Sequence, residues 1–427
     1  MEAEVLKGTK NYIPEEQVLR EDVIEIIRKA LQKYGFNPIE TSVLQPYALL
    51  SSKYGGGEEI LKECYRLKDM GDRELGLRYE LTITLAAFLL ENPGMKMPFR
   101  RYEIGKVFRD GPVKQARIRE FTQFDFDIVG AKSGLADIEI LAIYENVFRK
   151  LGLDVEIQLN NRKILFAIME YAGIDNNSET QASIILTIDK LEKIGKGEVS
   201  EELIRKGLNE KQINKIFEVL DIKGSNEEII TKLSEMLTSE NGKEGVEELK
   251  KLIELAKAYD LKNIILLPSL ARGLGYYTGS IYEVFLKNKK VKSSLAAGGR
   301  FDKMISNFVG KDLPAVGGSF GLDAICSALE PKKKSNAQVY VIPIGLPEEK
   351  FLPIVKKLRE TLNVDFDLSG RGISKNLDYA NKNKIPYCIF VGKRELEENK
   401  LKLKDMDTGE EKTLSLEEII NLIKKSK

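Results

Sequence analysis

The chain has 427 residues, 42% of them hydrophobic and 31% charged, with a formal net charge of +1. Such a length exceeds one ordinary core, predicting about two or three domains, and the composition excludes fibrous and disordered classes. A balanced charge excludes a global basic field, so any nucleic-acid contact must come from local patches.

No long apolar run reaches transmembrane length, and MEAEVLKGTK lacks a secretory core, so a cytoplasmic chain with no membrane partner is expected. Cys64, Cys326 and Cys388 are widely spaced and form no CxxC, which predicts reduced core thiols. Histidine is absent altogether. That removes the commonest general base and metal ligand, together with every Ser-His or Cys-His nucleophile.

Pro14 to Tyr34 is expected to be a helix. Leu19, Val23, Ile26, Ala30 and Tyr34 recur at helical spacing, Pro14 with Glu15 and Glu16 suits a first turn, and Gly35 ends it. Strand-like runs follow at Phe36 to Leu44, Glu63 to Lys68 and Glu74 to Tyr79, then a buried helix at Leu81 to Leu90. Phe99 to Phe108 and Phe121 to Val129 read as two long strands joined by the basic segment Asp110 to Glu120. Ala136 to Lys150 is amphipathic at helical period. This order predicts an α+β domain with a largely antiparallel sheet and packed helices.

From Asn161 to about Asp260 the chain turns Glu/Lys/Leu-rich and helical, and strand signals resume at NIILLP, SIYEVFL, KSSLAAGG and PAVGGSFGL. The expected organisation is a first half at 1–160, a helical insertion at 161–260 and a second half at 261–330. PKKKSNA, Pro331 to Ala337, reads as a linker to a compact α/β domain at 338–427. That domain is expected to close with a hairpin turning at Asp407-Thr408-Gly409.

In VFRDGPVKQARIREFTQFDFDIVG, Gln123, Asp125 and Asp127 alternate along a strand and so share one face. Arg109 ends the preceding strand, where a guanidinium can grip a phosphate bidentately. Arg117 and Arg119 lie in the loop, placed to close over a polyphosphate. Read alone, the stretch is equally an edge hairpin with solvated charges. In LRYELT, the Glu80 carboxylate and the Thr82 hydroxyl suit an amino group. In LARGLGYYTGSIYE, Arg272 precedes Gly273 and Gly275, which admit close backbone approach to a ligand. Tyr276 and Tyr277 add aromatic walls with hydroxyl tips, as core or as pocket.

Together these segments resemble the class II aminoacyl-tRNA synthetases and, within them, the histidyl-tRNA synthetase family. KGTKNYIPEE is similar to that family's opening, and FRDGPVKQARIREFTQFDFD to its motif 2. LARGLGYYTG is similar to its histidine segment, AAGGRFDKM with PAVGGSFGLD to the run into motif 3, and PYCIFVG with LKLKDMDTGEE to its anticodon-binding domain.

The resemblance implies a class II antiparallel sheet with flanking helices, a helical insertion, and a C-terminal anticodon-binding α/β domain. The implied activity is activation of histidine by ATP to histidyl-adenylate, then transfer to the 3′ end of tRNA(His). ATP, Mg²⁺, histidine and tRNA(His) are the implied substrates, cofactor and partners, in a cytoplasmic homodimer. Arg109 would bind the ATP α-phosphate, and Arg272 the same phosphate and the histidine carboxylate. Arg117 and Arg119 would add ATP contacts. Glu80 and Thr82 would receive the α-amino group. Asp127 and Tyr277 would bind the imidazole, with Gln123 and Tyr276 lining the pocket. No protein residue is assigned to a metal. Lys332 to Lys334 and the final KKSK are basic enough to touch tRNA phosphates, or are simply solvated.

The missing histidine does not conflict with this chemistry. Attack of a carboxylate on a phosphate needs reactants held in line and charge neutralised, and no protein base. Three positions depart from the family pattern: Ala324 replaces a motif 3 arginine, Ser42 a motif 1 proline, and Gly275 an aspartate. The alternative is the synthetase-like, non-catalytic regulatory subunit of ATP phosphoribosyltransferase, which senses histidine. Glu80, Arg109, Gln123, Arg272 and the C-terminal domain favour the ligase.

Overall fold

The computed structural model describes residues 4–52, 62–112, 118–174, 178–273, 275–331 and 335–425. Arg117, Lys332 to Lys334, Ser426 and Lys427 lie outside the described residues. The chain separates into two compact units, one of 1–10 with 23–328, the other of 11–22 with 329–427.

In the larger unit the strands are β1 (Asn37–Pro38), β2 (Leu44–Pro46), β3 (Arg66–Lys68), β4 (Glu74–Leu77), β5 (Phe99–Phe108) and β6 (Glu120–Val129). They continue with β7 (Val155–Asn161), β8 (Ile264–Leu266), β9 (Ser280–Leu286), β10 (Ala296–Arg300) and β11 (Ala315–Gly321). Among the described residues, β2, β4 and β3 form a small antiparallel sheet. The other eight form one sheet in the order β1-β5-β6-β11-β10-β9-β7-β8. Its centre is antiparallel, and its two edge pairs, β1 with β5 and β7 with β8, are parallel.

The alternation of side chains gives this sheet two unlike faces. Tyr102, Phe126, Gly318, Gly298 and Tyr282 lie opposite one another across five strands on one face. The helix Gly134–Leu151 packs there. Phe126 and Phe320 stack at 5.2 Å, and the Tyr144 ring meets both edge-on. A Cβ at Gly318 would overlap the Tyr144 hydroxyl, so glycine is what lets that ring approach. The opposite face carries Arg101, Glu103, Gln123, Asp125, Asp127, Ser319 and Glu283.

Phe36 to Leu44 is not the single strand expected from its sequence; only Asn37–Pro38 and Leu44–Pro46 pair. Side chains capture the backbone between them. Thr41 N–H donates to Glu103 at 2.9 Å, and Arg78 Nη1 donates to the Thr41 carbonyl at 2.7 Å. With those groups satisfied, the segment keeps its path without a continuous ladder. Cys326 departs from expectation as well, being half-buried where Cys64 and Cys388 are buried.

Between β7 and β8 stand six described helices, Arg162–Tyr171, Ser178–Ile188, Leu191–Arg205, Glu210–Leu220, Asn226–Met236 and Glu240–Ala258. Asn209 and Ser225 start two of them with reciprocal capping boxes. In the smaller unit, β12 (Val339–Pro343), β13 (Val364–Phe366), β14 (Tyr387–Val391), β15 (Leu401–Asp405) and β16 (Glu411–Leu414) make a sheet ordered β13-β12-β14-β15-β16. β12 is parallel to both neighbours, and β15 and β16 form the expected hairpin. Its turn is held by the Asp405 carboxylate, which accepts from the backbone of Asp407 and Thr408.

Candidate active site

The polar face of the large sheet is organised in straight rows. One row runs Glu103, Asp125, Ser319, Ala297, Glu283 and Gln158 from strand to strand. The adjacent row runs Arg101, Asp127, Gly317, Gly299, Ile281 and Asn160. Asp127 is 3% exposed, and its Oδ2 lies 2.6 Å from Arg101 Nη2. Gln123 Nε2 donates to Asp125 Oδ2 at 3.0 Å, which leaves Gln123 Oε1 buried with no hydrogen-bond partner among the described residues.

Glu80 enters this face from the turn before the helix Thr82–Glu91. The helix has no side-chain cap at Leu81, and Glu80 accepts a hydrogen bond from the Ile83 backbone instead. That contact ties its carboxylate to the positive end of the helix. Its Oε1 remains buried without a hydrogen-bond partner among the described residues. Burying an acceptor without a donor costs roughly 1–3 kcal/mol, a cost that a bound donor would relieve. Thr82 is buried at the first turn of the same helix.

Burial, reinforced by the charge of Asp125 and opposed by Arg109, pushes the Glu80 carboxyl up to about 7. Burial raises Asp127 to about 7 against the pull of Arg101, and raises Asp125 to about 6. Three carboxyls therefore titrate together on one floor, and their protons belong to the group rather than to single residues.

The Tyr276–Tyr277 pair closes the same space. The two rings lie 4.8 Å apart, and both feel the charges of Glu80, Asp125 and Arg272. Arg272 Nη1 is 3.1 Å from Glu283 Oε1, and its guanidinium sits 5.6 Å from the centre of the Tyr277 ring. Arg109 lies over the Phe121 ring at 5.1 Å, and its Nε donates to the Tyr79 carbonyl at 3.3 Å.

Glu80, Thr82, Arg109, Gln123, Asp127, Arg272, Tyr276 and Tyr277 are thus all described on or beside one polar face. Arg119 turns differently. Its Nη2 is 3.4 Å from Asp110, and its Nη1 donates to the Lys7 carbonyl at 3.4 Å. The structure also adds groups that sequence reading left out, chiefly Arg101, Glu103, Arg78 and Glu283. Arg78 Nη1 pairs with Glu103 at 2.8 Å with both side chains buried. The alternation in RRYEIG was the signal for Arg101 and Glu103, but only strand register shows that Arg101 faces Asp127.

Gly317 clears the floor beside Asp127, since a Cβ there would overlap the Asp127 carboxylate and the Phe126 carbonyl. Gly317→Ala is therefore expected to push Asp127 aside and destabilise the protein by ~1–3 kcal/mol, as overpacking does. A thermal melt checks this, and an unchanged midpoint would show that Asp127 has room to move.

The same arrangement of chain is found in known proteins. Residues 8–325 match the family model described as histidyl-tRNA synthetase, and residues 338–426 match that of the anticodon binding domain. Histidine–tRNA ligase 1 of Bacillus cereus is 44% identical over 418 residues, covering 96% of this chain and 97% of that one. Histidine–tRNA ligase of Pyrococcus horikoshii is 33% identical over 430 residues, covering 99% and 98%. The crystal structure of histidyl-tRNA synthetase from Nostoc sp. matches all of both chains with a TM-score of 0.88 at 29% identity. With family-model matches along nearly its whole length and such identity to curated ligases, the chain belongs to the histidyl-tRNA synthetase family.

Proposed function

We propose that the chain is a histidine–tRNA ligase that activates histidine with ATP and passes it to tRNA(His). The observation that carries this is the pairing of buried acceptors with nearby guanidinium groups. Glu80 Oε1 and Gln123 Oε1 lack hydrogen-bond partners beside buried Asp125 and Asp127, and Arg109 and Arg272 stand within charge reach. An anionic floor suits a ligand bearing an ammonium group and ring N–H donors. The neighbouring guanidinium groups suit its carboxylate and a phosphate.

In this reading Glu80 and Thr82 take the α-amino group, and Asp127 and Tyr277 take the two ring nitrogens. Gln123 and Tyr276 form the walls. Arg272 holds the histidine carboxylate against the ATP α-phosphate, which Arg109 also binds, with Arg119 and Arg117 at the outer phosphates. A carboxylate oxygen attacks the α-phosphorus, the bond to the bridging oxygen breaks, and pyrophosphate leaves with that electron pair. A terminal ribose hydroxyl of tRNA then attacks the acyl carbon, its proton passes to a phosphate oxygen of the leaving group, and AMP departs. Both steps are served by orientation and charge rather than by a protein base. A site that reads both ring nitrogens rejects amino acids lacking them, because its own buried polar groups would be left unpaired.

Mg²⁺ would arrive as the counter-ion of the ATP phosphates. Among the described residues no cluster of three acidic or thiol side chains is placed to hold it. The same proposal includes a homodimer, a cytoplasmic location and tRNA recognition by the 338–427 domain, with the insertion at 161–260 over the acceptor arm. Among the described residues, no helix is long and apolar enough to cross a membrane.

The test is ATP–pyrophosphate exchange on the purified protein, with histidine and each other amino acid in turn. Exchange with histidine alone is expected, and it would also show that Ala324 is tolerated where the family carries arginine. Histidine binding without exchange would move the assignment to the non-catalytic regulatory relative.

A further inference from the structure

We propose that Arg101 is a positioning residue for histidine recognition, fixing the spacing between the amino-binding and ring-binding ends of the pocket. The inference rests on the functional reading above. Arg101 is 0% exposed, and one nitrogen, Nη2, makes both of its close contacts. It lies 2.6 Å from Asp127 Oδ2 and donates to the Leu81 carbonyl at 3.1 Å. Leu81 stands between Glu80 and Thr82, so the bonded carbonyl belongs to the segment that carries the amino-binding groups. Asp127 belongs to β6, directly across the ladder from Arg101 itself. A single planar group therefore spans the two halves of the pocket and sets their separation.

The remaining contacts of Arg101 argue against a purely structural role. Nη1 reaches Glu103 Oε2 only at 3.7 Å, and among the described residues both Nη1 and Nε are buried without a hydrogen-bond partner. A buried guanidinium with unfilled donors is a poor way to stabilise a sheet, because an apolar side chain of similar volume would cost less desolvation. Its value lies in where it holds Asp127 and the Leu81 turn. The floor beneath is supported separately. Arg78 engages Glu103 and Thr41, so Glu103 keeps a partner whether or not Arg101 is present.

The test compares wild type, Arg101→Lys and Arg101→Met in histidine-dependent exchange, with a thermal melt of each. The KM for histidine is expected to rise about tenfold in Arg101→Lys, which keeps the charge but loses the planar reach. About a hundredfold is expected in Arg101→Met, the scale of a misplaced binding group. The KM for ATP should stay within about twofold. A parallel rise in both KM values, or a fall in kcat alone with a lower melting midpoint, overturns the proposal and makes Arg101 structural. If Arg101→Met does not fold, the Lys variant decides: a histidine KM equal to wild type overturns the proposal. Absence of exchange in the wild type would instead overturn the functional reading, so the two failures are distinct.

Discussion

Replacing Arg109 by alanine is expected to lower kcat/KM for histidine-dependent pyrophosphate exchange by roughly 10²–10³-fold, the usual loss when one donor to a charged transition state is removed. The melting midpoint should barely move. Among the described residues, the Arg109 side chain makes one hydrogen bond, from Nε to the Tyr79 carbonyl, and a ring contact with Phe121. Its backbone N–H bonds to the Arg119 carbonyl at 2.8 Å, which keeps the two strand ends together whatever the side chain. Arg272 offers no such clean experiment. Its removal would strand the largely buried Glu283 without its cation, and lost stability would mix with lost chemistry. If Arg109→Ala keeps activity within about fivefold, Arg109 does not bind the reacting phosphate.

The second large effect is on stability as a function of pH. Burial holds the folded carboxyls of Glu80 and Asp127 at about 7 and that of Asp125 at about 6, above their ordinary values of 4.5 and 3.8. Between those limits the folded chain binds more protons than the unfolded one, so stability rises as pH falls. The ligand-free protein is expected to melt higher at pH 5.5 than at pH 8. Glu80→Gln should remove part of that slope and raise stability at pH 8 by on the order of 3 kcal/mol, the equivalent of its displaced titration. Thermal melts of both proteins at pH 5.5, 7 and 8 check this, and parallel profiles would show that Glu80 is ionised in the free site. The chain lacks histidine, so no imidazole confuses the window. Asp367 and Asp405 are held below the ordinary carboxylate range and titrate beneath it. Bound histidine, bringing an ammonium group to these carboxyls, should release protons near neutrality.

The sequence announced some of this site through periodicity. Gln123, Asp125 and Asp127 share a face because a strand alternates, and the structure sets them in one row direction on the sheet. Glycines in AAGGR and AVGGSFG lie where side chains from both faces press on the strands. What stayed hidden depends on register. Arg101 and Glu103 come to face Asp127 and Asp125 only when β6 is laid against β5. The broken strand after Phe36 was equally invisible, because Thr41 bonds to residues 37 and 62 positions away in the chain. Local propensity carries no record of such long-range capture.

Adjacent glycines on β11 have a further consequence. Gly317 gives its space to the Asp127 carboxylate on one side, and Gly318 gives its space to the Tyr144 ring on the other. At that point a single thickness of backbone is the whole partition between a buried, charged layer and an aromatic one. A larger residue at either position intrudes on one compartment and, by shifting the strand, moves the wall of the other. The aromatic layer and the charged layer are therefore not free to drift apart in sequence. Each holds the other's dimensions through one shared strand.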